Sequence, residues 1–348
     1  MQRRILAHTD LEPSVLCFGG GSLCLPDGRE TAFALLDLYR ELGGNFIDTA
    51  NVYGRWLPHP SNLSEQYIGA WLGSRACRHE MIIATKGAHP HLDSKSIGRM
   101  SPAELRNDLE SSLTALGVDC IDLYWLHRDD PGVPVADILG VLDGFVREGK
   151  IRYYACSNWS LPRIQEAQEA ARAGGLAGFV ANQPRWSLAV VTAGSPDDPT
   201  LVAMDEATWQ EHYRHQWPAI PYSAQANGYF QKLDRLGKDR IDPALRARFD
   251  NPTNDARYAR LLQLGGELGT TLDELVLGYL LAQPFLVYPI IGASSPGQLR
   301  ASMAAGSRSW PADLPDRLSQ PCCLPPACRE DPPSRDHNRT QKQYPSRY

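Results

Sequence analysis

Four side chains of different chemistry stand at the ends of short apolar runs. Asp48 closes Phe46-Ile47, Lys86 follows Met81-Ile82-Ile83-Ala84-Thr85, and His127 follows Leu123-Tyr124-Trp125-Leu126. Tyr53 comes five residues after Asp48, in Asp48-Thr49-Ala50-Asn51-Val52-Tyr53-Gly54. A carboxylate, an ammonium, an imidazole and a phenol are groups that hold and move protons. If the runs are parallel strands of one sheet, all four point at one mouth. Taken singly, each has an ordinary explanation: a helix cap, a surface charge, a loop aromatic, a member of the polar loop His127-Arg128-Asp129-Asp130. Four together on three successive strand ends are not explained by chance. A lysine after so apolar a run is buried, and a buried lysine needs a partner, for which Asp48 is the obvious candidate.

The elements that would position these residues alternate along most of the chain. Strands are expected at Val15–Phe18, Phe46–Thr49, Met81–Lys86, Cys120–His127, Ile151–Ser157, Phe179–Gln183, Ala219–Ser223 and Val287–Ile291. Helix-period stretches lie between them: Glu30–Leu42, Ser64–Leu72 (capped by Ser64), 101–116, Val135–Glu148, Leu161–Ala173, Leu201–Tyr213, Asn254–Leu268, Leu272–Ala282 and Pro296–Ala305. Ser101-Pro102-Ala103-Glu104 has the form of a capping box, and Gly117 stands where that helix should stop. Eight strands each followed by helix imply right-handed parallel units that close into a single-domain (β/α)₈ TIM barrel over residues 1–307. Arg4–Glu12 would form a hairpin under the barrel floor. Residues 308–348 hold eight prolines and no periodicity, which predicts a disordered tail. Deleting everything after Ala312 should then be harmless.

The 348-residue chain is 43% hydrophobic and 22% charged, enough apolar material for a packed core. Its 35 Lys and Arg against 40 Asp and Glu give a net charge of -5 with no basic stripe, which argues against nucleic-acid binding. No apolar run reaches the roughly 18 residues a membrane span needs. Met1-Gln2-Arg3-Arg4, followed by His8, Asp10 and Glu12, does not read as a signal peptide. Eight cysteines without a C-x-x-C pair read as reduced thiols, so a cytoplasmic protein is expected. Cys322, Cys323, Cys328 and His337 match no familiar zinc spacing, and no metal is expected.

The sequence resembles the aldo-keto reductase family, in its bacterial branch. The resemblance rests on Phe46-Ile47-Asp48-Thr49-Ala50-x-x-Tyr53-Gly54, Lys86, Leu126-His127, Ser157-Asn158, Asn182-Gln183, Pro221-Tyr222-Ser223 and Ile291-Gly292-Ala293-Ser294-Ser295, in order over roughly residues 3–306. It implies that Tyr53 is a general acid supported by Asp48, Lys86 and His127. Hydride transfer to a carbonyl leaves an alkoxide that must take a proton. A lysine beside the phenol would lower its pKa, and the imidazole would orient the carbonyl. The resemblance also implies a nicotinamide cofactor held by Ser157, Asn158 and Gln183 at the carboxamide, with Tyr222 stacked on the ring. Ser223, Ala224, Gln225 and Gly228 would line the pyrophosphate path. Gly292, Ser294, Gln298 and Ser302 would grip the adenosine phosphate, and Gly20 would lie in the glycine-rich turn after the first strand.

The chain departs from the family where NADPH-preferring members carry a basic residue and an asparagine: it has Ser295 and Ser302, with Arg300 nearby. NADP(H) is the expected cofactor and NAD(H) stays open. Trp56, Tyr124, Trp159 and Trp186, with the long loop 227–254, would wall the substrate pocket. The expected activity is reversible NAD(P)H-dependent reduction of aldehydes, ketones or sugars to alcohols. One alternative is a nucleotide-sensing binding protein like the channel β-subunits; another is a Schiff-base lyase using Lys86. A small-molecule carbonyl or alcohol is the expected partner, and the sequence names no oligomeric one.

Overall fold

A computed structural model describes residues 1–24, 28–195 and 198–319 of the chain. Its centre is a curled, wholly parallel seven-stranded sheet. The strands are β1 (Cys17–Gly19), β2 (Phe46–Asp48), β3 (Ile82–Gly87), β4 (Ile121–Leu126), β5 (Ile151–Ser157), β6 (Asn182–Gln183) and β7 (Ile290–Ile291). They neighbour one another in the order β6-β5-β4-β3-β2-β1-β7. Helices intervene between successive strands, as parallel connections require.

The seventh of the eight expected strands, Ala219–Ser223, does not form a ladder. Ala219 makes a single parallel bridge to Asn182 and another to Val287, and Tyr222 makes one to Arg185. Its flanking prolines, Pro218 and Pro221, have no N–H to donate, which leaves too few donors for a run of rungs. The N-terminal segment folds back on itself antiparallel without forming regular strands, with Arg4 N–H donating to Pro13 O at 3.1 Å and Val15 N–H to Gln2 O at 3.0 Å. One antiparallel bridge, Arg3↔Ser14, sits above a turn in which Leu6 N–H donates to Leu11 O at 2.9 Å. Leu6 and Leu11 are buried with Phe46, Trp125 and Tyr288 inside the curl.

The helices are α1 (Gly28–Glu41), α2 (Leu63–Arg75), α3 (Pro102–Leu116), α4 (Val135–Arg147), α5 (Leu161–Gly174), α6 (Glu206–His215), α7 (Tyr229–Leu236), α8 (Pro243–Phe249), α9 (Pro252–Leu268), α10 (Leu272–Leu281), α11 (Pro296–Ala304) and α12 (Leu314–Ser319). The expected capping box of α3 is present, and Gly117 ends it at φ 62°. Ser64 is not a cap. It lies one residue inside α2, where its hydroxyl donates to Gly20 O at 2.8 Å. Helix α6 begins only at Glu206 because Asp205 accepts from Thr208 N–H and fixes the start there. The stretch 227–254, read as loop, holds α7 and α8.

The tail expectation changes most. Residues 308–319 pack on the molecule: Arg308 donates to Leu268 O, the Trp310 ring rests on Gly278, and Leu314 and Leu318 of α12 are fully buried against α9 and α10. Two leucines at i and i+4 between prolines form too short a pattern to see in the sequence. Residues from 320 onward, with Cys322, Cys323, Cys328 and His337, lie outside the described residues. No helix among the described residues is long and apolar enough to cross a membrane.

Candidate active site

Strand parity assembles the site. Side chains two apart on a strand share a face. Phe46, Ala84, Trp125, Ala155 and Ala181 fill the inside of the curl. Two residues further along the chain from each stand Asp48, Lys86, His127, Ser157 and Gln183, which therefore rise over the same interior at the sheet's mouth. Residues of the opposite parity, such as Ile47, Ile83 and Tyr124, face the helices.

The charged centre is closed to water. Lys86 is 1% exposed and Asp48 2%. The Lys86 ammonium pairs with Asp48 Oδ2, donates to Thr49 O at 2.7 Å and reaches the Tyr53 hydroxyl at 3.5 Å. Gln183 Nε2 donates to Asp48 Oδ1 at 3.1 Å, so both carboxylate oxygens are engaged. Burial pushes the Asp48 pKa up against the pull of Lys86. Burial pushes Lys86 down, but Asp48 and Tyr53 together carry it above its ordinary value.

The Tyr53 phenol moves opposite to expectation. Its pKa is raised, because removal from water penalises the phenolate by more than Lys86 relieves it. The ammonium is shared with Asp48, so only part of its field serves the phenol. His127 is 7% exposed with its Nδ1 buried and unpartnered. Burial, then the nearby His89, Arg128 and Lys86, hold its pKa well below the usual histidine value, so it is a neutral imidazole. Its ring lies 5.9 Å from that of Tyr53 and 4.7 Å from that of His89.

A cleft of 620 Å³ runs from Tyr53 between the loop before α7 and the start of α11. Ser223, Ala224, Gln225, Gly228, Gly292, Ser294, Gln298 and Ser302 line it, as do Gly19 and Gly21 of the glycine-rich turn and a set not singled out from the sequence: Ser22, Gln231, Lys232, Arg235 and Asp273. Gly20 does not. A Cβ there would sit 2.5 Å from Ser64 Oγ, so that glycine serves packing against α2. Ser157, Asn158, Gln183 and Tyr222 lie outside the cleft wall, on the neighbouring strand ends. Asn158 accepts from Tyr222 OH at 2.7 Å and donates to His127 O at 3.2 Å. Ser157 donates to Gln183 O at 2.9 Å. Ser295 is spent as the cap of α11, and Arg300 is exposed outside the cleft wall.

Three of the four residues expected to wall the substrate pocket are buried in packing. Tyr124 is fully buried with helix-facing parity, Trp159 donates its indole N–H to Arg128 O beneath the rim, and Trp186 is stacked on Phe285. Only Trp56, half-exposed and edge-on to Tyr53 at 5.9 Å, borders the mouth. His89 and Arg128 were missed, although each follows a strand-end site residue closely, which is the signal that marks them.

A curled parallel sheet carries at its mouth a buried Asp48–Lys86 pair within reach of the Tyr53 hydroxyl, groups that can hold and move a proton. The family model described as "Aldo/keto reductase family" matches residues 15–317, and the chain belongs to that family. It is similar to norsolorinic acid reductase stcV of Emericella nidulans, 29% identical over 84% of this chain and 74% of the relative. It is 27% identical to an aryl-alcohol dehydrogenase of Pestalotiopsis microspora, over 90% and 80% respectively. An uncharacterized oxidoreductase, YrpG, of Bacillus subtilis is 28% identical over 88% and 91%.

Proposed function

We propose that the protein is an NADP(H)-dependent reductase of aldehydes, ketones or sugars, working reversibly, with Tyr53 as its proton donor and Asp48, Lys86 and His127 around it. The observation that carries the reading is that Tyr53, whose hydroxyl lies 3.5 Å from a buried Lys86 ammonium, is also part of the wall of a 620 Å³ cleft. Relatives named for norsolorinic acid and aryl alcohols favour an aromatic carbonyl compound, with Trp56 as a ring beside it.

The cleft suits a dinucleotide. Glycines in its wall let a ligand approach the backbone, and Gly297, Gln298 and Ala301 present the first turns of α11, whose N-terminal dipole favours an anion. Lys232 and Arg235 supply positive charge there, offset in part by Asp273, and would meet a 2′-phosphate in place of the basic residue absent near Ser295. When bound, the nicotinamide supplies the hydride. The chain's residues do the rest. Neutral His127 can hydrogen-bond a carbonyl oxygen through its outer nitrogen. Tyr53, kept as a protonated phenol, holds its proton until an alkoxide, a far stronger base than phenolate, forms within reach. Lys86 then stabilises the phenolate left behind, and Asp48 keeps Lys86 charged throughout.

Oxidation of NADPH and of NADH by the full chain against a panel of aromatic and aliphatic aldehydes tests this. Turnover with NADPH favoured is expected. Cofactor quenching of tryptophan fluorescence without turnover of any carbonyl would instead support a nucleotide-sensing role.

A further inference from the structure

Arg128 is a buried guanidinium at the mouth that the proton chemistry above does not use. Only 7% of the residue is exposed. Its Nε donates to Thr200 Oγ1 at 2.8 Å and one terminal nitrogen, Nη1, donates to His127 O at 2.8 Å. A guanidinium has five N–H donors in a planar fork. Two are taken here, and no hydrogen bond among the described residues uses Nη2. No carboxylate among the described residues pairs with it. Asp198, the acid in electrostatic reach, engages Lys95 and Thr200 instead. Arg163 takes the adjacent Asp129. The guanidinium, tied to the His127 carbonyl, is in electrostatic reach of the His127 imidazole, Tyr53, Tyr222 and Asp198, and no carboxylate among the described residues touches it.

A buried, unpaired positive charge is costly to keep unless a ligand completes it. Three features make the fork a receptor. Thr200 and the His127 carbonyl fix its plane, the Trp159 indole donates to the Arg128 carbonyl and anchors its backbone, and the three remaining donors, on Nη1 and Nη2, are of the kind a carboxylate accepts. On the reading that this mouth reduces carbonyl compounds, we infer that Arg128 is a specificity residue that selects substrates carrying a carboxylate on the scaffold that bears the carbonyl. It grips the acidic end and swings the carbonyl toward Tyr53 and His127. No bond is made or broken at Arg128; it binds and orients.

The test is steady-state reduction by the full chain, with NADPH, of 4-carboxybenzaldehyde and of 4-methylbenzaldehyde, close in size and differing in charge. A charged hydrogen-bond pair is worth about ten- to a hundredfold. The wild-type ratio of kcat/KM should favour the acid by at least about tenfold, most of it in KM. Arg128→Gln should bring that ratio close to unity, and Arg128→Lys should keep part of it. Benzoate should inhibit the wild type competitively with the aldehyde, and benzamide should not. A wild-type ratio near one, or a ratio that survives Arg128→Gln, overturns the inference. If Arg128→Gln does not fold, equal inhibition of the wild type by benzoate and benzamide overturns it. If no aldehyde is reduced at all, the reductase reading fails by itself. The anion site is then judged by whether benzoate, and not benzamide, raises the wild-type melting temperature.

Discussion

The first half of the mouth and the second are built differently. From β2 to β5 the rim is carried by strands of up to seven residues in continuous parallel register, and its Asp48, Lys86 and His127 side chains are buried. From β6 onward the strands shrink to two residues and the wall passes to loops and short helices, with an open cleft between. A rigid dry rim suits proton transfer, because buried charges keep their strength and their geometry. A long wall of loop backbone and helix starts suits a large ligand that must enter and leave. The site therefore divides its work between precision on one side and adaptability on the other.

The sharpest way to break this division is at Lys86. Lys86→Met should cut kcat by about a hundred- to ten-thousandfold, the range of proton-transfer assistance. It should also cost about 3–5 kcal/mol of stability by leaving Asp48 buried and unpaired. Adding Asp48→Asn should restore much of the stability, read by denaturant melts, and none of the turnover. Recovery of turnover in the double variant would show that the rim charges serve only folding.

The next effect lies away from both regions. Leu314→Ala or Leu318→Ala should each destabilise by about 2–5 kcal/mol, as a cavity in a packed core does, while the kcat of folded protein changes little. An unchanged melting temperature would mean that α12 contributes nothing to the helical layer beside the cleft. The smallest effect is expected on the open side. Lys232→Glu should raise the KM for NADPH about tenfold and that for NADH less, as loss of one exposed phosphate contact would. Equal changes for both cofactors would remove Lys232 from 2′-phosphate recognition.

The same contrast governs what could be read from the sequence. Strands β2 to β5 were plain, because each apolar run ends in a polar residue of inward parity, and Asp48, Lys86 and His127 stand at those ends. Parity also shows why Tyr124 was misread: it is one residue out of phase with Trp125 and so faces the helices. Trp159 and Trp186 looked like pocket walls by type alone, yet large aromatics are more often spent on packing. The pKa direction of Tyr53 was misjudged because a sequence reveals the neighbouring charge but not the extent of burial. On the open side, Lys232 and Arg235 sit in a stretch read as loop, and only their placement on α7 brings them to the cleft. Helix α12 was hidden by its length, and the missing ladder at Ala219–Ser223 by prolines whose effect depends on which side of the strand needs donors.

The most direct measurement is Tyr53→Phe, which removes one oxygen and keeps the ring against Gly21 and Trp56. Turnover of the best aldehyde should fall by at least about a thousandfold, the upper part of the range for a general acid, while NADPH still quenches tryptophan fluorescence with near wild-type affinity. Turnover within a few-fold of wild type would contradict the assignment of the phenol as proton donor.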